Sequence, residues 1–112
     1  MLKKEVIRGK KEFSKLYKKG KSIRDRYVVL IYLENGLPYT RKAFLASKKV
    51  GNSVQRNRAK RLMKESFRSL EDLIPEGYDV LLIARNTINN RKCDEVRKSV
   101  EKSLKKAGFQ RK

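Results

Sequence analysis

The stretch Lys48-Lys-Val-Gly-Asn-Ser-Val-Gln-Arg-Asn-Arg-Ala-Lys-Arg-Leu-Met-Lys-Glu-Ser-Phe-Arg-Ser-Leu70 forms the central element of the chain. Counted at about 100° per residue, Ala59, Leu62, Met63, Ser66, Phe67 and Leu70 fall on one side of a helix. Asn57, Arg61, Lys64 and Arg68 fall on the opposite side, with Lys60 near its edge and Arg56 and Arg58 on the flanks. Asn52 or Ser53 is placed to cap this helix, which is predicted to run to about Leu73 and to stop before Pro75 and Gly77.

Working upstream, Lys10 to Lys19 places Phe13, Leu16 and Tyr17 at i, i+3 and i+4, and Gly20 follows where a helix end favours it. A short amphipathic helix is expected there. The run Arg26 to Leu33 is dense in β-branched and aromatic residues, and Glu34-Asn-Gly-Leu-Pro38 supplies turn chemistry before a second extended run from Thr40 to Ser47. These two runs are predicted to form a hairpin. In the first of them Tyr27, Val29 and Ile31 alternate onto one face and Val28, Leu30 and Tyr32 onto the other, and the pattern leaves open which face is buried.

Downstream, Tyr78 to Ala84 is a nearly continuous apolar run, as expected of a strand buried on both sides. Asn86 to Asn90 reads as a turn. From Arg91 to Ala107, Cys93, Val96, Val100 and Leu104 form an apolar stripe that ends at Gly108. The predicted order is helix, strand, strand, helix, strand, helix, an α+β sandwich in a single domain spanning residues 1–112.

Composition narrows function. The 112 residues carry 31 Lys and Arg against 12 Asp and Glu, a formal charge of +19. Self-repulsion of that size costs stability, so a polyanionic partner is the expected reason for carrying it. His is absent and Cys93 is the single cysteine. Cys-His dyads, His general bases, disulfides within the chain and the usual zinc ligand sets are therefore unavailable to it, and catalysis by protein side chains is not expected. Glu71-Asp72 and Asp94-Glu95 are adjacent carboxylate pairs, but consecutive helical residues point about 100° apart, so no metal site is assigned to the protein. The basic N-terminus from Met1 to Arg8 lacks the apolar stretch of a signal peptide, and no segment reaches membrane-spanning length; a cytoplasmic location is expected, with no membrane partner.

Between Arg41 and Arg68 there are ten basic residues and one acidic residue, Glu65. A face that is only solvated interleaves Glu with Lys to gain i to i+4 pairs; this one does not. Arg forks fit phosphate oxygens, Lys adds mobile charge, and Asn57 can both donate and accept at a sugar or base edge. A nucleic-acid face on the central helix follows. Lys48-Lys49-Val50-Gly51-Asn52 leads into the helix N-terminus, where a phosphate can sit, although Gly51 equally serves only to permit a turn. Phe13 and Tyr17 read either as core residues or, among Lys11, Lys15, Lys18 and Lys19, as a platform on which unpaired bases stack.

The run Ser47-Lys-Lys-Val-Gly-Asn-Ser-Val-Gln-Arg-Asn-Arg-Ala-Lys-Arg-Leu62 closely resembles the signature of the bacterial ribonuclease P protein family, with its Arg-Asn-Arg motif intact at Arg56-Asn57-Arg58. Phe13-x-x-x-Tyr17, the Tyr78 to Arg85 strand and the final helix stand in the family's order. The resemblance implies a ribosomal-protein-like fold with a left-handed β-α-β crossover through the basic helix. It also implies a protein subunit that assists a catalytic RNA and Mg²⁺, held mainly by RNA and substrate, in cutting the 5′ leader from precursor tRNA.

By the same resemblance Lys48, Lys49, Arg56, Asn57, Arg58, Lys60, Arg61, Lys64 and Arg68 would contact the catalytic RNA, and Phe13 and Tyr17 would line a leader cleft. Ile31 stands where relatives often place an aromatic in that cleft, with Tyr27 as its substitute. Ser53 replaces a common Ala and Ala43 a common Gly, with no effect on function expected. The partners are then ribonuclease P RNA and precursor tRNA, with the protein by itself a monomer. A ribosomal-type RNA-packaging protein would share the charge but need no leader cleft, and a protein-only nuclease would cleave without RNA.

Overall fold

The computed structural model describes Ile7 and residues 9–109. The basic stretch from Met1 to Val6, and Arg8, lie outside the described residues. The elements are α1 (Lys10–Lys19), β1 (Lys21–Arg24), β2 (Val28–Glu34), β3 (Arg41–Leu45), α2 (Ser53–Arg68), β4 (Tyr78–Ala84) and α3 (Cys93–Lys106), with short 3₁₀ turns at Glu71–Leu73 and Asn86–Ile88.

The four strands form one sheet in the order β1-β2-β4-β3. β2 pairs antiparallel with β1 and with β4, while β3 runs parallel to β4. Strand alternation splits the apolar residues into two layers. Val28 and Leu30 of β2 and Val80 and Leu82 of β4 meet Ala59, Met63 and Phe67 of α2 and Val96, Val100 and Leu104 of α3. On the other face Ile31, Ala43 and Leu81 meet Leu16 of α1. Helices thus cover both faces of a mixed sheet, the α+β architecture expected, and α2 joins the parallel pair β3 and β4.

Three local expectations are corrected. β2 and β3 do not form a hairpin, because β4 lies between them. A strand as apolar as Tyr78 to Ala84 must satisfy its backbone on both edges, which only a central position allows. The connection from β2 to β3 instead crosses the start of β4: Asn35 N donates to Gly77 O at 2.8 Å, and Thr40 Oγ1 donates to Pro75 O at 2.9 Å. Second, β1 precedes β2, a strand the sequence pattern passed over because Lys21-Ser-Ile-Arg24 holds one apolar residue, Ile23; its pairing with β2 makes it a strand. Third, α2 ends at Arg68, not Leu73. The chain tightens into the Glu71–Leu73 turn, and Ile74 is extended with ψ 122°, the conformation a following proline imposes.

Candidate nucleic-acid interface

The N-terminus of α2 is capped by reciprocal hydrogen bonds. Gln55 N donates to Asn52 Oδ1 at 3.0 Å and Asn52 N donates to Gln55 Oε1 at 2.9 Å, so Asn52 is the cap. Gly51 sits at φ 145°, and a Cβ there would collide with the Gln55 amide, so this glycine is required by the turn. Val50 is buried, and its carbonyl accepts from Asn89 Nδ2 at 2.6 Å. Lys48 and Lys49 stay exposed on the turn that leads into the cap.

Along α2, Ala59, Met63, Ser66 and Phe67 are buried, whereas Asn57, Arg58, Arg61, Lys64 and Arg68 are exposed. Arg56 and Lys60 are half-buried at the boundary. The face separation expected from periodicity therefore holds at each of these positions; Leu62, assigned to the inner side, is half-buried. On the cationic side Arg68 meets Glu65 at 3.7 Å, with both side chains largely exposed, a pair that offsets little of the charge. Arg56 Nη2 donates to Ser53 Oγ at 3.4 Å, and its Nε is buried with no hydrogen-bond partner.

A groove of about 510 Å³ runs between this helix and α1 across the edge strand β3. Phe13 forms one wall, Lys60, Lys64 and Arg68 the other, and Ala43 and Leu45 the floor. Two signals far apart in sequence, the aromatic of α1 and the cationic stripe of α2, thereby share one surface. Tyr17, one turn beyond Phe13, is 56% exposed, an unusual condition for a large aromatic. The sheet continues the floor: Val29, Ile83 and Leu45 are cross-strand neighbours on the α1 face, and each stays half-exposed. Sequence reading did not single out Ile83 or Leu45. Strand parity places them on the same face as Leu81 and Ala43, but exposure depends on how little of that face α1 covers.

Two expected cleft residues are placed differently. Ile31 is buried directly beneath α1, against Leu16 and Gly20, where it supports the wall. Tyr27 does not share a face with Val29 and Ile31. It precedes β2, where strand alternation has not begun, and it packs into the core on the α3 side. There its N–H donates to Ser99 Oγ at 3.3 Å and the Arg91 guanidinium lies 5.6 Å from its ring centroid. Arg91 is in turn linked to the basic helix, since Arg58 Nη2 donates to its carbonyl at 3.3 Å.

The carboxylates near the groove are engaged by cations. Asp79, buried on β4, accepts from Arg41 Nε at 2.8 Å and from Asn35 Nδ2 at 2.9 Å on Oδ1, and from Arg41 Nη2 at 2.6 Å on Oδ2. The hydrogen bond to Asp79, more than that to Glu12, raises the Arg41 pKa further above its already high value. Glu71 pairs with Lys42, whose ammonium also lies 5.8 Å from the Phe67 ring centroid. Among the described residues no three His, Cys, Asp or Glu side chains converge as metal ligands, and no helix is long and apolar enough to cross a membrane.

A family model described as Ribonuclease P matches residues 1–108. The chain is 37% identical over 107 residues to the ribonuclease P protein component of Pelotomaculum thermopropionicum, covering 96% of each chain. It is 44% identical over 109 residues to the component from Clostridium botulinum (strain Langeland), covering 96% of this chain and 98% of the relative. Among solved structures, the Staphylococcus aureus ribonuclease P protein superposes with a TM-score of 0.84 at 31% identity, covering 96% of this chain and 98% of that one. The Thermotoga maritima protein superposes with a TM-score of 0.81 at 30% identity, covering 92% and 97%.

Proposed function

Since the chain belongs to the ribonuclease P protein family, we propose that it serves a catalytic RNA as its positioning subunit in removing the 5′ leader from precursor tRNA. The observation that carries this reading is the shared groove, where the cationic side of α2 and the aromatic side of α1 face each other over an apolar strip of sheet. A single RNA strand has both features to offer, a phosphate backbone for Lys60, Lys64 and Arg68 and unstacked bases for Phe13 and Tyr17. Double-stranded or folded RNA keeps its bases inside and would use the cationic face alone.

In this reading the exposed Asn57, Arg58 and Arg61, with Lys48 and Lys49 before the cap, dock on the catalytic RNA. Lys64 and Arg68 stand where the two RNA surfaces meet, and Arg56 brings an unpartnered Nε to the same boundary. The protein raises affinity for leader-bearing tRNA and holds the scissile bond in place, a contribution to catalysis through orientation. Ile31 supports α1 from below, and Tyr27 anchors the α3 side.

The residues present do not fit a protein-held Mg²⁺. Near the groove Asp79, Glu12 and Glu71 are each paired with a cation, and among the described residues the other carboxylates do not converge in a group of three that could hold a hard, oxygen-seeking cation. We therefore assign the metal and the hydrolytic step to the RNA and its substrate. The test is cleavage of a 5′-leader precursor tRNA at low Mg²⁺ by the protein alone, a bacterial ribonuclease P RNA alone, and the two together. Accurate leader removal only in the mixture supports the assignment. Tight RNA binding with no stimulation would turn it toward an RNA-packaging role, and cleavage by the protein alone would overturn the division of labour.

A further inference from the structure

At the head of β3, two residues before Ala43 of the groove floor, sits a polar clamp that neither the cationic helix nor the aromatic wall accounts for. Arg41 heads β3 and is the Cα partner of Asp79 on β4. Its guanidinium grips Asp79 through Nε and Nη2, and the same Nη2 reaches across to Glu12 Oε2 of α1 at 2.9 Å. Asn35, from the β2 to β3 connection, holds the other side of Asp79 Oδ1 and also donates to Tyr39 O at 3.3 Å. The head of β3 and the inter-strand loop are tied at the Asp79 carboxylate, and the first turn of α1 is tied to them through the same Arg41 guanidinium.

The placement of the clamp matters more than its strength. Glu12 immediately precedes Phe13, the aromatic wall, and Ala43 and Leu45 of the floor follow Arg41 at two and four residues on the same strand face. α1 is otherwise seated through Leu16, with Phe13 half-buried against the same cluster, and apolar contacts of this kind are non-directional. A guanidinium-carboxylate contact is directional and specifies rotation and tilt. The members differ in exposure: Asp79 and Arg41 side chains are 5% and 17% exposed, while Glu12 is 38% exposed. Arg41 and Asp79 therefore form the fixed post, and Glu12 is the part that can be removed without leaving a buried charge alone. With Nε and Nη2 occupied, Arg41 is a poor candidate for phosphate contact itself.

We propose that Glu12 and Arg41 are positioning residues for leader recognition, the Glu12–Arg41–Asp79 clamp setting the distance and angle of Phe13 over β3. This rests on the reading of the groove as the leader site. The effect is expected in precursor binding by the assembled ribonucleoprotein, with catalytic-RNA affinity untouched, because the clamp lies on α1 and the sheet edge, away from Asn57 and Arg61.

The experiment compares dissociation constants of the holoenzyme for precursor and mature tRNA in wild type, Glu12→Gln, Glu12→Asp and Phe13→Ala, with the melting temperature of each free protein. Glu12→Gln keeps the size and removes the charge, and it is expected to lower the precursor-to-mature affinity ratio by about threefold, the scale of a partly exposed ion pair. Glu12→Asp keeps the charge one methylene short and is expected to recover part of that ratio, which a loss of packing alone would not produce. An unchanged ratio in Glu12→Gln while Phe13→Ala lowers it would overturn the clamp and leave the groove standing. An unchanged ratio in Phe13→Ala would overturn the groove reading, and the clamp with it. Equal losses for precursor and mature tRNA with a lowered melting temperature would reduce Glu12 to a structural residue and also overturn the proposal.

Discussion

Asn52 and Gln55 hold each other across the first turn of α2, each side chain accepting the other's backbone N–H at 3.0 Å and 2.9 Å. This exchange fixes where the basic helix begins. The start sets the rotation of all that follows, so the same four-residue box that ends the Lys48-Lys49 turn also decides that Ala59 and Met63 point inward and Asn57 and Arg61 outward.

Removing the cap has a defined cost. Asn52→Ala is expected to lower stability by about 1 kcal/mol, read as a melting-temperature drop of roughly 4 °C. Gly51→Ala acts on the same box by forcing a Cβ into Gln55 at a positive φ, and should cost about 1–3 kcal/mol. A neutral Gly51→Ala would show that the turn relaxes freely.

The two sides of α2 should separate binding from folding. Arg61→Ala and Asn57→Ala are expected to leave the melting temperature within about 1 °C while weakening catalytic-RNA binding, and Arg61→Ala should lower the salt slope by roughly one charge's worth. Met63→Ala, at a fully buried position, should cost about 2–5 kcal/mol. Filter binding across a salt series, beside thermal melts, checks both.

The aromatics should divide in the same way. Phe13→Ala and Tyr17→Ala are expected to weaken leader-bearing tRNA by about fivefold each, the low end of one base stack, with mature tRNA unaffected. Tyr27→Ala, in the α3-side core, should instead cost about 3 kcal/mol of stability and leave the precursor-to-mature ratio unchanged. A selective loss of precursor binding in Tyr27→Ala would return that residue to the leader site.

Glu95 gives α3 a pH dependence. Its carboxylate accepts from Lys92 N at 3.1 Å and faces Arg91 at 3.5 Å, and the backbone hydrogen bond, ahead of the Arg91 contact, holds its pKa below the ordinary 4.5. A carboxylate with a depressed folded pKa stabilises above its unfolded value and loses that contribution as pH falls through the folded one. Glu95→Gln should therefore melt below wild type at neutral pH, with the difference beginning to shrink as the pH falls below 4.5 and gone only once it has passed below the lowered folded pKa. A gap that persists in acid would trace the loss to packing.

Much of this was legible beforehand because helix periodicity is local. The inward set of α2, the stripe Val96, Val100, Leu104 of α3 and the buried run of β4 follow from spacing and are found where spacing puts them, with Leu62, Cys93, Tyr78 and Ile83 half-buried at the margins. The cationic face is equally readable, since a charge excess with a single intervening Glu65 survives any folding of the chain. Val29, Ile83 and Leu45 illustrate what was not legible: parity assigns a face but not the extent of the helix lying over it.

From its own order of residues this protein has its helices, its apolar strands, its basic helix face and its family signature, all properties of neighbours in sequence. Strand order, the seating of β1, the partnership of Arg41 with Asp79 and Glu12, and the meeting of Phe13 with Lys64 across one groove belong to the folded chain alone. Apart from β1, whose partners on β2 lie 5 to 11 residues away, they join residues 29 to 56 positions apart in pairs whose choice depends on which strand takes the centre. That choice rests on burial: Tyr78 to Ala84 is the run least able to leave a backbone edge in water, so it goes between β2 and β3, and the two stretches that resemble a hairpin are separated by it.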